Sequence, residues 1–228
     1  MYSVESLRKV VTLMNTRKRE LSALPVEQIP LCISTGNRKI GRVMNVSLPP
    51  ILSCANCAGC SKLCYDIKAC LQYPNTVIDA RMRNFSVLIR DRERYFSVIE
   101  QAISRRRKNK FFRWHVAGDI VDADYFQHMV DIAAKHPDFV FWTYTKNYKV
   151  VNSWVAEHGR ESIPANFAVM FSEWRGMPMD NPHGFPEFKV VFKDEVKPSG
   201  FYCPGNCDVC KTHGCGCVVG QTVYCMEH

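Results

Sequence analysis

The cysteines restrict the fold of this chain more than any other feature, because they lie in two dense groups separated by a long interval. The chain has 12 cysteines, and none lies between Cys70 and Cys203. The first cysteine group consists of Cys54, Cys57, Cys60 and Cys64. The C-terminal cysteine group consists of Cys203, Cys207, Cys210, Cys215, Cys217 and Cys225. The interval between the two groups is therefore interpreted as a scaffold that holds them.

Composition indicates that these cysteines are not needed as cross-links. A chain of 228 residues with 46% hydrophobic residues can bury a sizeable core, whereas small secreted domains depend on disulfides. Residues 1–20 contain no uninterrupted apolar run of the kind found in a signal peptide, and no segment reaches the roughly 20 apolar residues of a membrane span. We therefore expect a cytoplasmic protein without a membrane partner, in which clustered reduced thiols indicate metal binding.

The interval between the cysteine groups alternates between strand and helix patterns. A long helix is predicted from Thr76 to Arg106, and Asp122 or Asp124 is placed to cap a later one. The predicted strands comprise residues 111–117, 139–145, 167–171 and 188–192. This alternation is typical of βαβ units, so we predict an α/β fold with a partial (β/α) barrel or a parallel sheet.

This pattern predicts that the chain is divided into two parts. Residues 1–200 are predicted to form the barrel-like domain with the first cysteine group, and residues 201–228 a cysteine-rich metal-binding segment. Three of the predicted strands are followed directly by polar residues: Gly118-Asp119, Tyr144-Thr145-Lys146 and Ser172-Glu173. Because ligands of parallel sheets collect at the carboxyl ends of the strands, we predict a site there.

Small residues and glycine separate the thiols of the first cysteine group, so one loop can wrap them around one metal centre. Iron–sulfur clusters favour thiolates that are close in sequence in loops whose N–H groups point at the sulfurs. Zinc accepts the same ligands in a tetrahedral site. We favour a [4Fe-4S] cluster over zinc for the first group.

The C-terminal cysteine group has more thiols than one tetrahedral ion needs. A second iron–sulfur centre and a structural zinc site are both open interpretations there. Its predicted metal ligands are Cys203, Cys207, Cys210, Cys215 and Cys217.

Several short motifs, in order, resemble a family of phage proteins known as gene product eighty-eight. The motifs before the scaffold are residues 34–41, Leu48-Pro49-Pro50, Cys54, Cys60, Cys64-Tyr65 and Lys68. Those within it are Arg113, His115, Gly118-Asp119, Tyr125 and Tyr144-Thr145-Lys146. The resemblance covers roughly residues 34 to 146, and it implies a location in the cytoplasm of the host cell.

That family in turn resembles the radical S-adenosylmethionine enzymes in layout. Those enzymes place three cysteines in a loop after the first strand, and leave one iron of a four-iron cluster open for the cofactor. The resemblance implies that Cys54, Cys60 and Cys64 ligate iron, and that an electron donor reduces the cluster. It also implies cofactor-binding roles for residues at the strand ends: the turn Gly118-Asp119 for the amine, and Lys146 or Arg113 for the carboxylate. His115 is a candidate for the substrate side.

Two other functions are open on the same residues. If Cys57 is a fourth ligand, the cluster is closed, and the protein is a non-catalytic iron–sulfur protein for sensing or electron transfer. The basic run from Arg105 to Lys110 would suit a zinc-stabilised protein that binds nucleic acid. We favour a solvated helix end for this run, because no recognised nucleic-acid-binding module accompanies it. The sequence does not identify a substrate.

Overall fold

The strands of the protein form one parallel sheet in this computed structural model, which describes residues 2–37, 40–207, 217 and 220–227. The strands are β1 (Met44–Val46), β2 (Phe111–Trp114), β3 (Val140–Thr145), β4 (Phe167–Glu173), β5 (Glu187–Val191), β6 (Phe201–Tyr202) and β7 (Val223–Met226). Their order across the sheet is β1-β2-β3-β4-β5-β7-β6, and every neighbouring pair is parallel. The sheet is open, and among the described strands β1 and β6 form its edges. The predicted α/β fold with a parallel sheet is confirmed.

The helices lie mainly before and between the first strands. They are α1 (Val4–Ser22), α2 (Cys57–Cys60), α3 (Tyr65–Gln72), α4 (Asp79–Arg90), α5 (Arg92–Ser104), α6 (Ala123–Lys135) and α7 (Tyr148–His158). Ser3 caps α1 by accepting a hydrogen bond from the N–H of Ser6, and the Asp122 carboxylate caps α6 through the N–H of Tyr125. No helix in the described part of the chain is long and apolar enough to span a bilayer.

The two faces of the sheet carry different partners, because side chains alternate along each strand. On β4, Phe167, Val169 and Phe171 pack with the buried residues of the helices in the main core. The intervening Ala168 and Met170 belong to a smaller cluster that contains Trp142, Val223 and Cys217 instead. We call these the helix-covered face and the C-terminal face, since residues after 200 contribute to the second cluster.

The C-terminal segment is continuous with the sheet. Strand β7 pairs with β5 on one side and β6 on the other, with Val190 opposite Cys225 and Tyr202 opposite Tyr224. Residues from 201 onward therefore provide two of the seven strands as well as cover for the C-terminal face.

Two sequence predictions of element bounds were wrong. The single helix predicted from Thr76 to Arg106 is a π-helical turn followed by α4 and α5, which are separated at Asp91. Asp91 has a non-helical backbone, and its carboxylate accepts a hydrogen bond from the N–H of Arg94, so it starts a new helix. Strand β2 ends at Trp114 rather than at residue 117, because His115 adopts a left-handed backbone conformation with φ 54°.

Candidate functional site

Polar side chains at or just after the ends of β2, β3 and β4 contact one another at the carboxyl edge of the sheet. The Thr145 hydroxyl donates to Oδ1 of Asp119 at 2.6 Å, and the N–H of Lys146 donates to Oδ2 at 2.8 Å. The Lys146 ammonium donates to Oγ of Ser172 at 2.9 Å. These hydrogen bonds join three consecutive strand ends into one polar surface, which we call the carboxyl-edge site.

Asp119 is the most enclosed acidic group of this site, with only 5% of its surface exposed. Burial raises its pKa, while hydrogen bonds from Thr145 and the backbone of Lys146 and Ile120 oppose that shift. The N–H of Ile120 donates to the same Oδ1 that accepts from Thr145, at 2.7 Å. Oδ1 thus accepts two hydrogen bonds and Oδ2 one, so Oδ2 retains acceptor capacity for a further donor.

Gly118 brings the turn after β2 against the loop after β1. Its φ of +85° lies in the left-handed region that favours glycine. A Cβ at this position would lie 2.7 Å from Cβ of Leu48 and 2.7 Å from Oγ of Ser53. Any other residue would therefore clash with the segment that leads into the first cysteine group.

The loop that carries the first cysteine group is held over the carboxyl edge from two sides. The side-chain amide of Asn56 donates to the carbonyl of Lys146 at 2.5 Å. Gly59, within α2, approaches the β4–β5 loop so closely that a Cβ there would lie 2.2 Å from Sδ of Met177. The cysteines of the first group are thus placed beside the strand ends that carry Asp119 and Lys146.

The four thiols of the first group are close enough to affect one another. Burial raises the pKa of Cys54, and Asp119, Cys57 and Cys64 raise it further. Burial likewise raises the pKa of Cys57 to about 11, with contributions from Cys60 and Cys64. Buried thiols with raised pKa values are poor nucleophiles, whereas a bound metal deprotonates such ligands outright. The group therefore suits metal binding better than covalent catalysis.

Backbone N–H groups face the sulfurs of this loop. The N–H of Ile51 lies near the sulfurs of both Cys54 and Cys57. The N–H groups of Asp66 and Ile67 lie near the sulfur of Cys64, at the start of α3. Each of these contacts lowers the pKa of the thiol, but burial raises it by more. Ile51 has φ 70°, an unusual conformation for a β-branched residue. Strain of this kind is maintained where a backbone group is directed at a site.

No disulfide joins the cysteines that the structure describes. Within the described ranges, no three side chains of histidine, cysteine, aspartate or glutamate are grouped closely enough to hold a metal ion as they stand. The four thiols of the first group are neighbours, but they do not form such a group.

Arg113 lies on the C-terminal face rather than among the hydrogen bonds of the carboxyl edge. Its guanidinium stacks on the ring of Tyr144, 4.6 Å from the ring centre, and its Nε is buried without a hydrogen-bond partner. Burial lowers the pKa of Arg113, but nearby Tyr144, Tyr65, Cys207 and Cys217 outweigh it and the net shift is upward. Among the described residues no carboxylate pairs with this cation.

The C-terminal cysteine group is spread over the same face. The Tyr144 hydroxyl donates to the sulfur of Cys217 at 2.8 Å, and Cys217 is buried. Cys203 and Cys207 pack against the cluster that contains Cys217. The predicted ligands Cys210 and Cys215 lie outside the described residues.

His115 lies apart from the carboxyl-edge site. Its Nε2 and the hydroxyl of Tyr125 are 2.9 Å apart, and the hydroxyls of Tyr125 and Tyr95 are 3.0 Å apart. Burial, with a further contribution from Arg113, lowers the pKa of His115 to about 3. It is therefore a neutral group within the packing between the sheet and α6.

Tyr148 belongs to the site although sequence reasoning did not select it. Its hydroxyl donates to the carbonyl of Ser172, and burial and Asp119 raise its pKa. Tyr148 is the first residue of α7, directly after the strand end at residues 144–146. Its position in the sequence was the available signal, but an aromatic residue at a helix start is usually a core residue.

The basic run from Arg105 to Lys110 lies at the other edge of the sheet, before β2 begins. Arg105 ends α5, and Lys110 forms an ion pair with Asp138. Nucleic-acid binding through this run stays a prediction.

Comparison with known proteins identifies a family for this chain. The family model described as Gene product 88 matches residues 14–199, which is most of the chain. No curated protein and no solved structure matches.

Proposed function

We propose that this chain, which belongs to the Gene product 88 family, is an iron–sulfur protein that binds S-adenosylmethionine and acts as a radical S-adenosylmethionine-like enzyme. The observation that carries the proposal is the convergence at the carboxyl edge. The first cysteine group after β1 lies beside Asp119 after β2, and Asp119 accepts hydrogen bonds from residues at the end of β3. A thiolate centre and a cofactor-binding edge are thereby adjacent, as the proposal requires.

The arrangement of the helices agrees with this proposal. The buried residues of the helices belong to the main core with one face of the sheet, and the other face packs against residues after 200. A parallel sheet with its helices on one face corresponds to an opened (β/α) barrel, in which the opposite face lines the interior. Arg113 and Tyr144 lie on that interior side, where a substrate would approach.

The residues of the first group fit an iron–sulfur cluster in their chemistry. Cys54, Cys60 and Cys64 are assigned as its ligands, and the N–H groups that face two of these sulfurs would stabilise thiolate charge. When bound, the reduced cluster supplies one electron for the cleavage of S-adenosylmethionine. The protein's own part is to place the cofactor and exclude water.

Two side chains of the carboxyl edge are assigned to the cofactor's two charged groups, the amine and the carboxylate. Asp119 has acceptor capacity left at Oδ2 and is assigned to the amine. Lys146 donates to Ser172 and retains two further N–H donors, so it is assigned to the carboxylate. Arg113 is further from this set and is better placed for the substrate side.

A second function is favoured by one observation on Cys57. The N–H of Ile51 lies near the sulfur of Cys57 as well as that of Cys54. A sulfur supported in the same way as a ligand is itself a candidate ligand. Four thiolates close a four-iron cluster, and the protein would then be a redox or sensing protein without catalysis.

The proposal is tested on protein purified without oxygen. About four iron and four sulfide are expected per first group. Adding S-adenosylmethionine to the reduced protein should change the electron paramagnetic resonance spectrum of the cluster and release 5′-deoxyadenosine. Stoichiometric zinc without sulfide, after expression with iron supplied, would overturn the iron–sulfur assignment. An unchanged spectrum with iron present would overturn the enzyme and favour the closed cluster.

A further inference from the structure

Two cysteines of the C-terminal group are brought opposite each other by the register of the last two strands. Strands β6 and β7 pair in parallel, with Phe201 opposite Val223 and Tyr202 opposite Tyr224. The N–H of Cys203 continues this ladder by donating to the carbonyl of Tyr224 at 2.7 Å. The next pair in register is therefore Cys203 with Cys225.

The side chains of this pair lie on the same face of the sheet. Val223, two residues before Cys225, is fully buried in the cluster of the C-terminal face. Phe201 and Cys203 pack against that same cluster. The intervening Tyr202 and Tyr224 also pair with each other, with ring centroids 5.5 Å apart. Since side chains alternate along strands, Cys203 and Cys225 are neighbours on the C-terminal face.

The spacing of this pair suits two ligands of one metal ion. Neighbouring strands lie about 4.7–4.9 Å apart, and cysteine side chains can rotate to bring their sulfurs closer than that. A zinc–sulfur bond of about 2.3 Å in a tetrahedral site places two sulfurs roughly 3.8 Å apart.

Two further thiols of the described residues lie on this face. Cys207 follows Cys203 across a turn at Gly205, whose φ is +70°. Cys217 is buried in the same cluster, and both Cys207 and Cys217 lie near Arg113. A permanent cation beside these thiols would balance part of the negative charge that four thiolates bring to one divalent ion.

We propose that Cys203 and Cys225 are adjacent ligands of a second metal site, which binds a divalent ion of the zinc class with Cys207 and Cys217. Cys225 is thereby assigned a role that sequence spacing did not give it. Each thiol that binds releases its proton to solvent, and no electron is transferred. These thiols are not grouped closely enough to hold an ion as they stand, so closure of the site requires side-chain rotation and exchanges the hydrogen bond between Tyr144 and Cys217 for a metal–sulfur bond. The ion would fasten β6 to β7 and hold the C-terminal segment on the sheet.

The experiment measures zinc binding by the full chain under reducing, anaerobic conditions, with iron counted in the same samples. Wild-type protein should bind about one zinc ion per chain with high affinity. Cys225→Ser and Cys203→Ser should each weaken zinc binding by at least the roughly 10–100-fold loss that removal of an outer-shell partner causes. The control is Cys32→Ser, which alters a half-buried thiol outside both groups and should bind zinc as wild type does.

The outcomes separate this site from the first cysteine group. Loss of zinc in the Cys203 and Cys225 variants, with iron retained, supports the second site whether or not the first group binds a cofactor. Wild-type zinc affinity in both variants would overturn it. Iron and sulfide in place of zinc would overturn the single divalent ion. A disulfide between Cys203 and Cys225, found by mass spectrometry of the protein before reduction, would overturn the ligand pair. Cys203 directly follows the edge strand β6, where a substitution should disturb folding less. Cys203→Ser therefore tests the pair if Cys225→Ser fails to fold.

Discussion

Polar groups on the helix-covered face of the sheet and at its carboxyl edge differ in how they are paired. Between the sheet and α6, His115, Tyr125 and Tyr95 are linked by hydrogen bonds, and the pKa shift of each of the three favours its neutral form. At the carboxyl edge, the half-buried thiols of the first group raise one another's pKa. The first arrangement holds no charge, although Nδ1 of His115 is buried without a hydrogen-bond partner, whereas a bound cation would make the second favourable.

Arg113 and His115 show this difference at the end of β2. Arg113 carries a charge on the C-terminal face, stacked on Tyr144. His115, two residues later, is neutral and hydrogen-bonded to Tyr125 of α6. Groups that satisfy one another stabilise a fold, and groups held in an unfavourable arrangement mark a functional site. Substitutions on the two sides should therefore affect different measurements.

The largest expected effect is the loss of iron from the first group. Cys64→Ala removes a predicted ligand whose sulfur faces the N–H groups of Asp66 and Ile67. We expect it to remove the iron, the sulfide and their visible absorbance, because two protein thiolates do not hold a four-iron cluster. Iron and sulfide analysis of anaerobically purified protein provides the measurement, with Cys32→Ala as control. Full iron content in Cys64→Ala would show that the ligand assignment is wrong.

The next expected effect concerns Cys57 and the open iron. If Cys57 is a bystander, Cys57→Ala should keep its iron and respond to S-adenosylmethionine as the wild type does. The response is read from the electron paramagnetic resonance spectrum of the reduced protein. A spectrum that responds only in Cys57→Ala would identify Cys57 as the fourth ligand, and the redox or sensing function would replace the enzyme.

Asp119 accepts hydrogen bonds within the chain and is also assigned to the cofactor's amine. Its variants should therefore separate stability from cofactor binding. Asp119→Ala leaves the donors of Ile120, Thr145 and Lys146 without their acceptor, at a cost of about 1–3 kcal/mol per buried group left unpaired. Asp119→Asn keeps an acceptor oxygen but loses the charge. Both variants should lose about 1.5–3 kcal/mol of S-adenosylmethionine binding.

The measurements are denaturant unfolding and cofactor titration. Only Asp119→Ala should show the large loss of stability, whereas both should bind the cofactor more weakly. Wild-type affinity in Asp119→Asn would contradict the assignment of this carboxylate to the cofactor's amine.

Much of the scaffold could be predicted from local patterns in the sequence. The apolar runs of β3, β4 and β5 lie within two residues of their predicted bounds, and the cap of α6 is one of the two predicted aspartates. Strands β1, β6 and β7 were missed. They have two to four residues each, too few to show a period, and they form through pairing with strands far away in sequence.

The site was also predictable in part from local patterns in the sequence. A polar residue after each apolar run is visible in sequence, and parallel topology brings such residues together. The hydrogen bonds that occupy Asp119, the left-handed conformation of Ile51 and the position of Arg113 on the opposite face depend on tertiary packing. Local sequence spacing carries no signal for them.

The smallest expected effect lies on the helix-covered face and appears as a pH dependence of stability. Burial lowers the pKa of His115 from 6.5 to about 3, so between these values the unfolded chain binds a proton that the folded chain does not. Stability from His115 is therefore complete above pH 6.5 and is lost as pH falls, by about 1.4 kcal/mol per unit. His115→Gln does not titrate, so the unfolding free energy of wild type should fall relative to this variant between pH 7.5 and 5.5. Asp66, whose pKa burial raises to about 6, titrates in both proteins and cancels in the difference. If the unfolding free energies of the two proteins change in parallel with pH, His115 is not held neutral. Equal iron content in wild type and His115→Gln would confirm that this face is independent of the site.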